Sequence, residues 1–370
     1  VIPLCIPEIR GNEWKYIKEC LDTNWVSSAG KYVDLFEERF KEYIGSKKAI
    51  VTVNGTSALH LALSILGIGP GDEVIVPSMT FVASINPIIY VGAEPVFVDI
   101  CRDTYVMDVN KVEELITEKT KAIMPVHIYG HPVDMEPLMK LAKKYNLYVI
   151  EDATEALGSE YMTSDGIWHK VGTIGDIGCF SFNGNKLITT GAGGMLVTND
   201  EELGEKAKFL STQAKVIGEN KSFSHPEIGY NFRMPNLLAA MGVAQLEKIE
   251  EYIKIKRDNA KYYNQLLKEV EGITIPIEKD WAKNCYWLYS IVIEDEYGIK
   301  RDELIKIMAE NKIETRPFFN PIHNMIPYKK YKCGKLTVTN ELSRKGINLP
   351  SSVSLTFEDI DKIAKIIRRA

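Results

Sequence analysis

The chain has 370 residues, 45% hydrophobic and 26% charged, enough for a large buried core and expected as one big domain plus a smaller one. A net charge of −5 excludes the basic stripe of a nucleic-acid binder, while leaving room for a locally basic pocket that takes an anion. Six cysteines without a CxxC pair (Cys5, Cys20, Cys101, Cys179, Cys285, Cys333) argue against disulfides or zinc, and no leader pattern or membrane-length apolar run appears, so a cytoplasmic protein with no metal and no membrane partner is expected.

The first 45 residues read as two polar helices joined by Asn24-Trp25-Val26-Ser27-Ser28-Ala29-Gly30. Seven short β-branched runs follow: Ala49–Val53, Glu73–Val76, Pro95–Val98, Ala122–Val126, Leu147–Ile150, Gly178–Phe182 and Met195–Val197. Most of the intervening stretches are long enough for a crossover helix, which needs roughly a dozen residues. Such alternation predicts βαβ units and a mostly parallel sheet covered on both faces. Residues 236–269 form one long helical pattern. After Gly272 the style changes: Tyr286–Ile293 reads as a strand, Arg301–Asn311 as a helix and Thr356–Arg369 as a final helix. The expectation is an α/β chain with a large mostly parallel-sheet domain over 1–250, including the N-terminal helices, and a small α+β domain over 251–370.

Sheets of this type bind ligands beyond the carboxyl ends of their strands. Four segments stand there. Asn54-Gly55-Thr56-Ser57 precedes the helix Ser57–Leu66 and offers N–H groups, hydroxyls and the positive end of a helix, which suits a phosphate; an ordinary capped helix start looks the same. Glu151 and Asp152 end an apolar strand, where burying acids is costly; Asp152 suits a pyridine nitrogen, and a helix cap or Mg²⁺ site reads equally well. Lys186 follows Phe180-Ser181-Phe182-Asn183-Gly184-Asn185 and precedes the glycine-dense Thr189–Gly194; a desolvated lysine is a nucleophile and base, whereas most lysines are solvated. Phe81, in Pro77–Ala83, suits stacking on a flat ring or plain core packing. The GxxxxGK[ST] and GxGxxG phosphate signatures are absent. Taken together, the four segments supply a phosphate cradle, a stacking ring, an acid and a lysine in one sheet, the contacts that pyridoxal 5′-phosphate (PLP) needs. His60, His127, His131, His169 and His225 read as structural.

With Gly229–Arg233 and Thr315–Phe319, these segments resemble the PLP-dependent sugar-nucleotide aminotransferases of the DegT/DnrJ/StrS type, from about residue 8 to the C-terminus. The resemblance implies the fold-type-I PLP-transferase architecture. It implies that Lys186 carries the cofactor as a Schiff base, Asp152 pairs with the ring nitrogen, Glu155 lies near the phenolic oxygen and Phe81 stacks on the ring. Gly55, Thr56, Ser57 and Ser181 would hold the phosphate, with Asn231 reaching it from the other subunit of a homodimer. Trp25, Lys215, Arg233, Arg316 and His323 match positions expected near the substrate. Glu155 stands where many relatives carry Gln or His, and Ala192 where many carry Glu.

Within the family, Asp22–Gly30 and Leu210–Val216 look most like enzymes that aminate C4 of UDP-4-keto-6-deoxy-N-acetylglucosamine with L-glutamate, in legionaminic acid and bacillosamine biosynthesis. The alternatives are an enzyme of the GDP-perosamine synthase type, which shares Glu at position 155, or a non-catalytic PLP-binding protein of the same fold. A PLP-dependent sugar dehydratase would carry His in place of Lys186.

Overall fold

The computed structural model describes residues 1–218 and 222–369. Its large sheet has seven strands: β1 Lys48–Thr52, β2 Glu73–Pro77, β3 Glu94–Val98, β4 Thr120–Ile123, β5 Tyr148–Asp152, β6 Ile177–Ser181 and β7 Gly194–Thr198. Their order is β1-β7-β6-β5-β4-β2-β3. Only β7 runs against its neighbours. All seven sequence-predicted runs are these strands, displaced at most three residues at an end. They are legible because both faces are buried, so each strand is a continuous apolar run rather than an alternating one.

Helices α1 Glu13–Asp22 and α2 Lys31–Ile44 pack on α7 Asn236–Leu246. Helix α3 Gly55–Ile65 lies over β6 and β7, and α4 Asn86–Tyr90, α5 Met135–Tyr145 and α6 Glu201–Ser211 complete the coat. The single helix expected over 236–269 is two: α7, then α8 Ile249–Leu267. The break follows Glu247, whose carboxylate is held by Asn12 Nδ2 at 2.7 Å and the Tyr16 hydroxyl at 2.8 Å. Helix α7 is buried along most of its length, whereas α8 is amphipathic.

Helix α8 joins two apolar cores. Tyr252 and Ile253 belong to the first; Ala260, Tyr263 and Leu267 belong to the second. The change from one core to the other comes inside α8, between Ile253 and Ala260. The second core lies on a four-stranded antiparallel sheet of β8 Ile273–Thr274, β9 Tyr289–Ile293, β10 Arg316–Pro317 and β11 Gly346–Leu349, in the order β8-β9-β11-β10. Helices α9 Arg301–Glu310, α10 Thr337–Lys345 and α11 Phe357–Ile367 belong to this C-terminal part. The chain returns to it at its start, where Ile2 pairs beside Ile313. Strand β9 is shorter than the run read from the sequence because Tyr286 turns left-handed at φ +51°. No helix among the described residues is long and apolar enough to cross a membrane.

Candidate active site

Strands β1, β2, β5 and β6 are mutually parallel, so their carboxyl ends meet along one edge of the sheet. A cleft of about 270 Å³ opens there, lined by Gly55 and Thr56 after β1, Phe81 after β2, Asp152 at the end of β5 with Glu155 beyond it, and Ser181 at the end of β6 with Lys186 beyond it.

The floor is the start of α3. Asn54 caps it: its Oδ1 accepts the Ser57 N–H at 2.8 Å. The remaining early N–H groups of the helix and its positive end form an anion site. Gly55 is required by space. A Cβ there would lie 2.9 Å from Ser181 Cβ and 3.1 Å from Thr154 Cγ2, filling the gap between strands. Ser57 contributes its backbone to the cap and lies outside the cleft lining.

Asp152 is buried. Its Oδ2 accepts from Ser84 Oγ at 2.6 Å and its Oδ1 from the Thr154 N–H at 3.1 Å. Ser84 is in turn bonded to Thr80 Oγ1 at 2.7 Å. These bonds fix the carboxylate while leaving lone pairs free for a ring N–H. Glu151, on the opposite face of the strand, is kept away from the cleft. Its oxygens accept N–H bonds from Gly172, Ile174 and Gly175 and one from His127 Nε2.

Glu155 faces Lys186, with 3.6 Å between Oε1 and Nζ, and its Oε2 accepts the Tyr129 N–H at 2.9 Å. Burial pushes the Glu155 carboxyl upward; the Lys186 charge and the Tyr129 bond oppose that without cancelling it. The Lys186 side chain is 13% exposed. Its backbone N–H closes a turn on the Asn183 carbonyl at 3.0 Å, which is why a Gly/Asn loop precedes it. Phe81 forms one wall, 55% exposed, its ring 5.9 Å from that of Phe319, and Arg316 stands at the same rim.

The arrangement fits pyridoxal phosphate: an anion cradle only glycine leaves open, an aromatic wall, a hydrogen-bonded buried acid and a lysine in one cleft. Of the other residues singled out in the sequence, Trp25, Lys215, Asn231, Arg233 and His323 do not line this cleft. Trp25 and Asn231 are exposed, and Lys215 lies over the Phe223 ring. His323 Nδ1 is tied to Ser78 Oγ at 2.7 Å, and burial lowers its proton affinity. Arg233 Nε is buried without a hydrogen-bond partner among the described residues. Trp287, Thr154, Ser84 and Phe319 are lining residues the sequence reading did not pick out. Phe319 sat within a quoted motif and Ser84 three residues after Phe81; Trp287 lay inside a predicted strand, where a tryptophan reads as core.

The profile of the DegT/DnrJ/EryC1/StrS aminotransferase family matches residues 7–368. The GDP-perosamine synthase of Caulobacter vibrioides is 43% identical over 363 residues, 98% of this chain and 96% of that protein. The GDP-perosamine synthase of Escherichia coli O157:H7 is 45% identical over 366 residues, 99% and 97% of the two chains. Among solved structures, Helicobacter pylori PseC, an aminotransferase involved in the biosynthesis of pseudoaminic acid, superimposes with a TM-score of 0.92 at 30% identity, covering 99% of this chain and 98% of that one.

Proposed function

Because the chain belongs to the DegT/DnrJ/EryC1/StrS aminotransferase family and is a PLP-dependent sugar aminotransferase, we propose that it moves the amino group of L-glutamate to C4 of a GDP-linked 4-keto-6-deoxyhexose. The UDP-linked N-acetylated substrate ranked first on sequence segments gives way to this alternative. Two relatives identical at 43% and 45% over nearly their whole length bear the name GDP-perosamine synthase. The observation that carries the site assignment is Lys186 Nζ, 3.6 Å from the Glu155 carboxylate in the cleft at the head of α3.

Pyridoxal phosphate, when bound, supplies an aldehyde for amine exchange and a ring that withdraws electrons from the amino acid Cα. The chain's own residues do the rest. The N-terminus of α3, with Gly55, Thr56 and Ser181, binds the phosphate. Asp152, fixed by Ser84 and Thr154, holds a proton at the ring nitrogen. Phe81 covers a ring face. Glu155 shares a proton at the phenolic oxygen, in keeping with its upward shift. Lys186 Nζ would take the proton from the donor Cα and pass it to the cofactor carbon that keeps the nitrogen, and would carry a proton the opposite way, to C4 of the sugar, in the second half-reaction.

Arg316 at the rim offers a cation to the glutamate carboxylate or the sugar diphosphate. Asn231 is assigned to the phosphate site of the other subunit and Lys215, Arg233, Trp25 and His323 to the substrate side; the buried Nε of Arg233, unpaired among the described residues, supports a ligand or partner there. The test is a panel of GDP-, UDP- and dTDP-linked 4-keto-6-deoxy sugars with L-glutamate, read by product mass. The GDP sugar is expected to have the highest kcat/KM; preference for the UDP-linked N-acetyl sugar refutes the assignment. Lys186→Ala is expected to lose the visible cofactor band and all turnover.

A further inference from the structure

Trp287 has no part in the roles above, yet it touches the reactive amine. Its side chain is buried, and Lys186 Nζ lies 4.1 Å from the centre of its ring. Its Nε1 donates to the Asn185 carbonyl at 2.7 Å, fastening the residue before Lys186. The amine is thus placed between an aromatic face and the Glu155 carboxylate.

The backbone is bent to achieve this. Tyr286, just before Trp287, has φ +51°, and Tyr129, which donates to Glu155, has φ +55°. Bulky residues rarely adopt that region, and such strain is kept where a site needs it. Asn284 Oδ1 holds the Tyr286 N–H at 2.6 Å. The two turns are pressed together at Gly130, where a Cβ would lie 2.7 Å from Asn284 Oδ1 and 3.0 Å from the Trp287 backbone nitrogen. One turn delivers the N–H that holds Glu155; the other delivers the indole.

We propose that Trp287 is a positioning residue for amino transfer. Its indole face seats the Lys186 amine while that amine is not bonded to the cofactor, and holds it as an ammonium between taking the donor's proton and returning it. The inference rests on the aminotransferase reading. A cation over an indole is attracted by the ring quadrupole, the more so when water is excluded, and tryptophan offers the strongest face of the aromatic side chains. A leucine buries the lysine stem and offers nothing to its charge.

Two readouts test it. In the cofactor-free protein labelled with ¹³C at the lysine ε-carbons, the Lys186 ε-protons are expected upfield of the other lysines, since they lie over the indole. Lys186→Ala identifies the resonance by its loss, and Trp287→Leu returns it to the bulk. In the loaded enzyme with L-glutamate alone, Trp287→Leu is expected to slow the limiting loss of the visible Schiff-base absorbance about tenfold, with half-saturating glutamate unchanged. Trp287→Phe keeps a face but not the bond to Asn185, and retains most of the rate. The proposal is overturned by a wild-type Lys186 resonance among the bulk, by a wild-type rate in Trp287→Leu, or by Trp287→Phe as slow as Trp287→Leu. The wild-type resonance decides the matter even if the leucine variant does not fold. An upfield resonance in an enzyme inert toward glutamate overturns the aminotransferase reading and leaves the seat standing.

Discussion

Replacing Glu151 with glutamine is expected to loosen the site from behind without altering a residue that lines it. The carboxylate accepts four hydrogen bonds, two at each oxygen. Oε1 takes the N–H groups of Ile174 at 2.7 Å and Gly175 at 2.6 Å; Oε2 takes that of Gly172 at 2.7 Å and His127 Nε2 at 3.0 Å. In Glu151→Gln one oxygen becomes an NH₂ and meets two donors whichever way the amide turns. Histidine cannot rescue it by changing tautomer, because its Nδ1 already accepts the Val133 N–H at 3.0 Å. Two bonds to a charged acceptor are lost, at about 1.5–3 kcal/mol each, so the cost is about 3–6 kcal/mol. That is a large share of a typical folding free energy of about 5–15 kcal/mol.

Amide hydrogen exchange read by mass spectrometry over residues 171–176 should report it. Exchange in the variant is expected to rise on the order of a hundredfold at the low end of that range. The pH dependence has a fixed sign. Burial disfavours the Glu151 anion, but His127 and the backbone N–H groups outweigh it, so the carboxyl is held below its ordinary range. A depressed folded value contributes stability above the unfolded pKa of about 4.3, which is lost as pH falls through the folded one. The gap between wild type and variant should be full at neutral pH and close in acid. Wild-type exchange at neutral pH in Glu151→Gln would refute the reasoning.

Gly55→Ala is expected to weaken PLP retention about fivefold or more, because the new methyl meets Ser181 Cβ and Thr154 Cγ2 where the phosphate cradle narrows, an overpacking cost of about 1–3 kcal/mol. Equilibrium dialysis followed by absorbance reads it; unchanged retention places the phosphate elsewhere. If Asn231 serves the partner's site, Lys186→Ala and Asn231→Ala each depress activity, and co-assembling the two chains yields hybrid dimers with one intact site. Activity well above the sum of the parents is expected, and a purely additive result removes the shared-site assignment.

What was legible in the sequence follows from what is costly. Glu151 and Asp152 stood out because acids at the end of an apolar strand are expensive to bury, and the structure accounts for both with named donors. The turn Asn54–Ser57 stood out because a Gly/Thr/Ser segment at a helix start offers N–H groups and hydroxyls to an anion. The sheet was legible because strands buried on both faces are short, continuous β-branched runs separated by longer stretches. The break at Glu247 was not, since the apolar spacing runs through it; the partners of Glu247, Asn12 and Tyr16, lie more than two hundred residues away in the chain.

Trp287 was illegible for a related reason. A tryptophan in the run Tyr286–Ile293 reads as core on any local pattern, and its side chain is indeed buried. What turns it toward Lys186 is the left-handed conformation of Tyr286, and that depends on Asn284 and on the absence of a side chain at Gly130. Neither signal lies in the spacing of apolar residues. The two strained tyrosines also explain why the site is compact. Tyr129 and Tyr286 reach it from the large and small halves of the sequence, and each aims one partner at the same nitrogen. A change that relaxed either turn would move Glu155 or Trp287 away from Lys186 while leaving Asp152 and the phosphate cradle in place. Cofactor binding and proton transfer should therefore be separable by mutation along this line, binding tracking Gly55 and Asp152, transfer tracking Tyr129, Gly130 and Trp287.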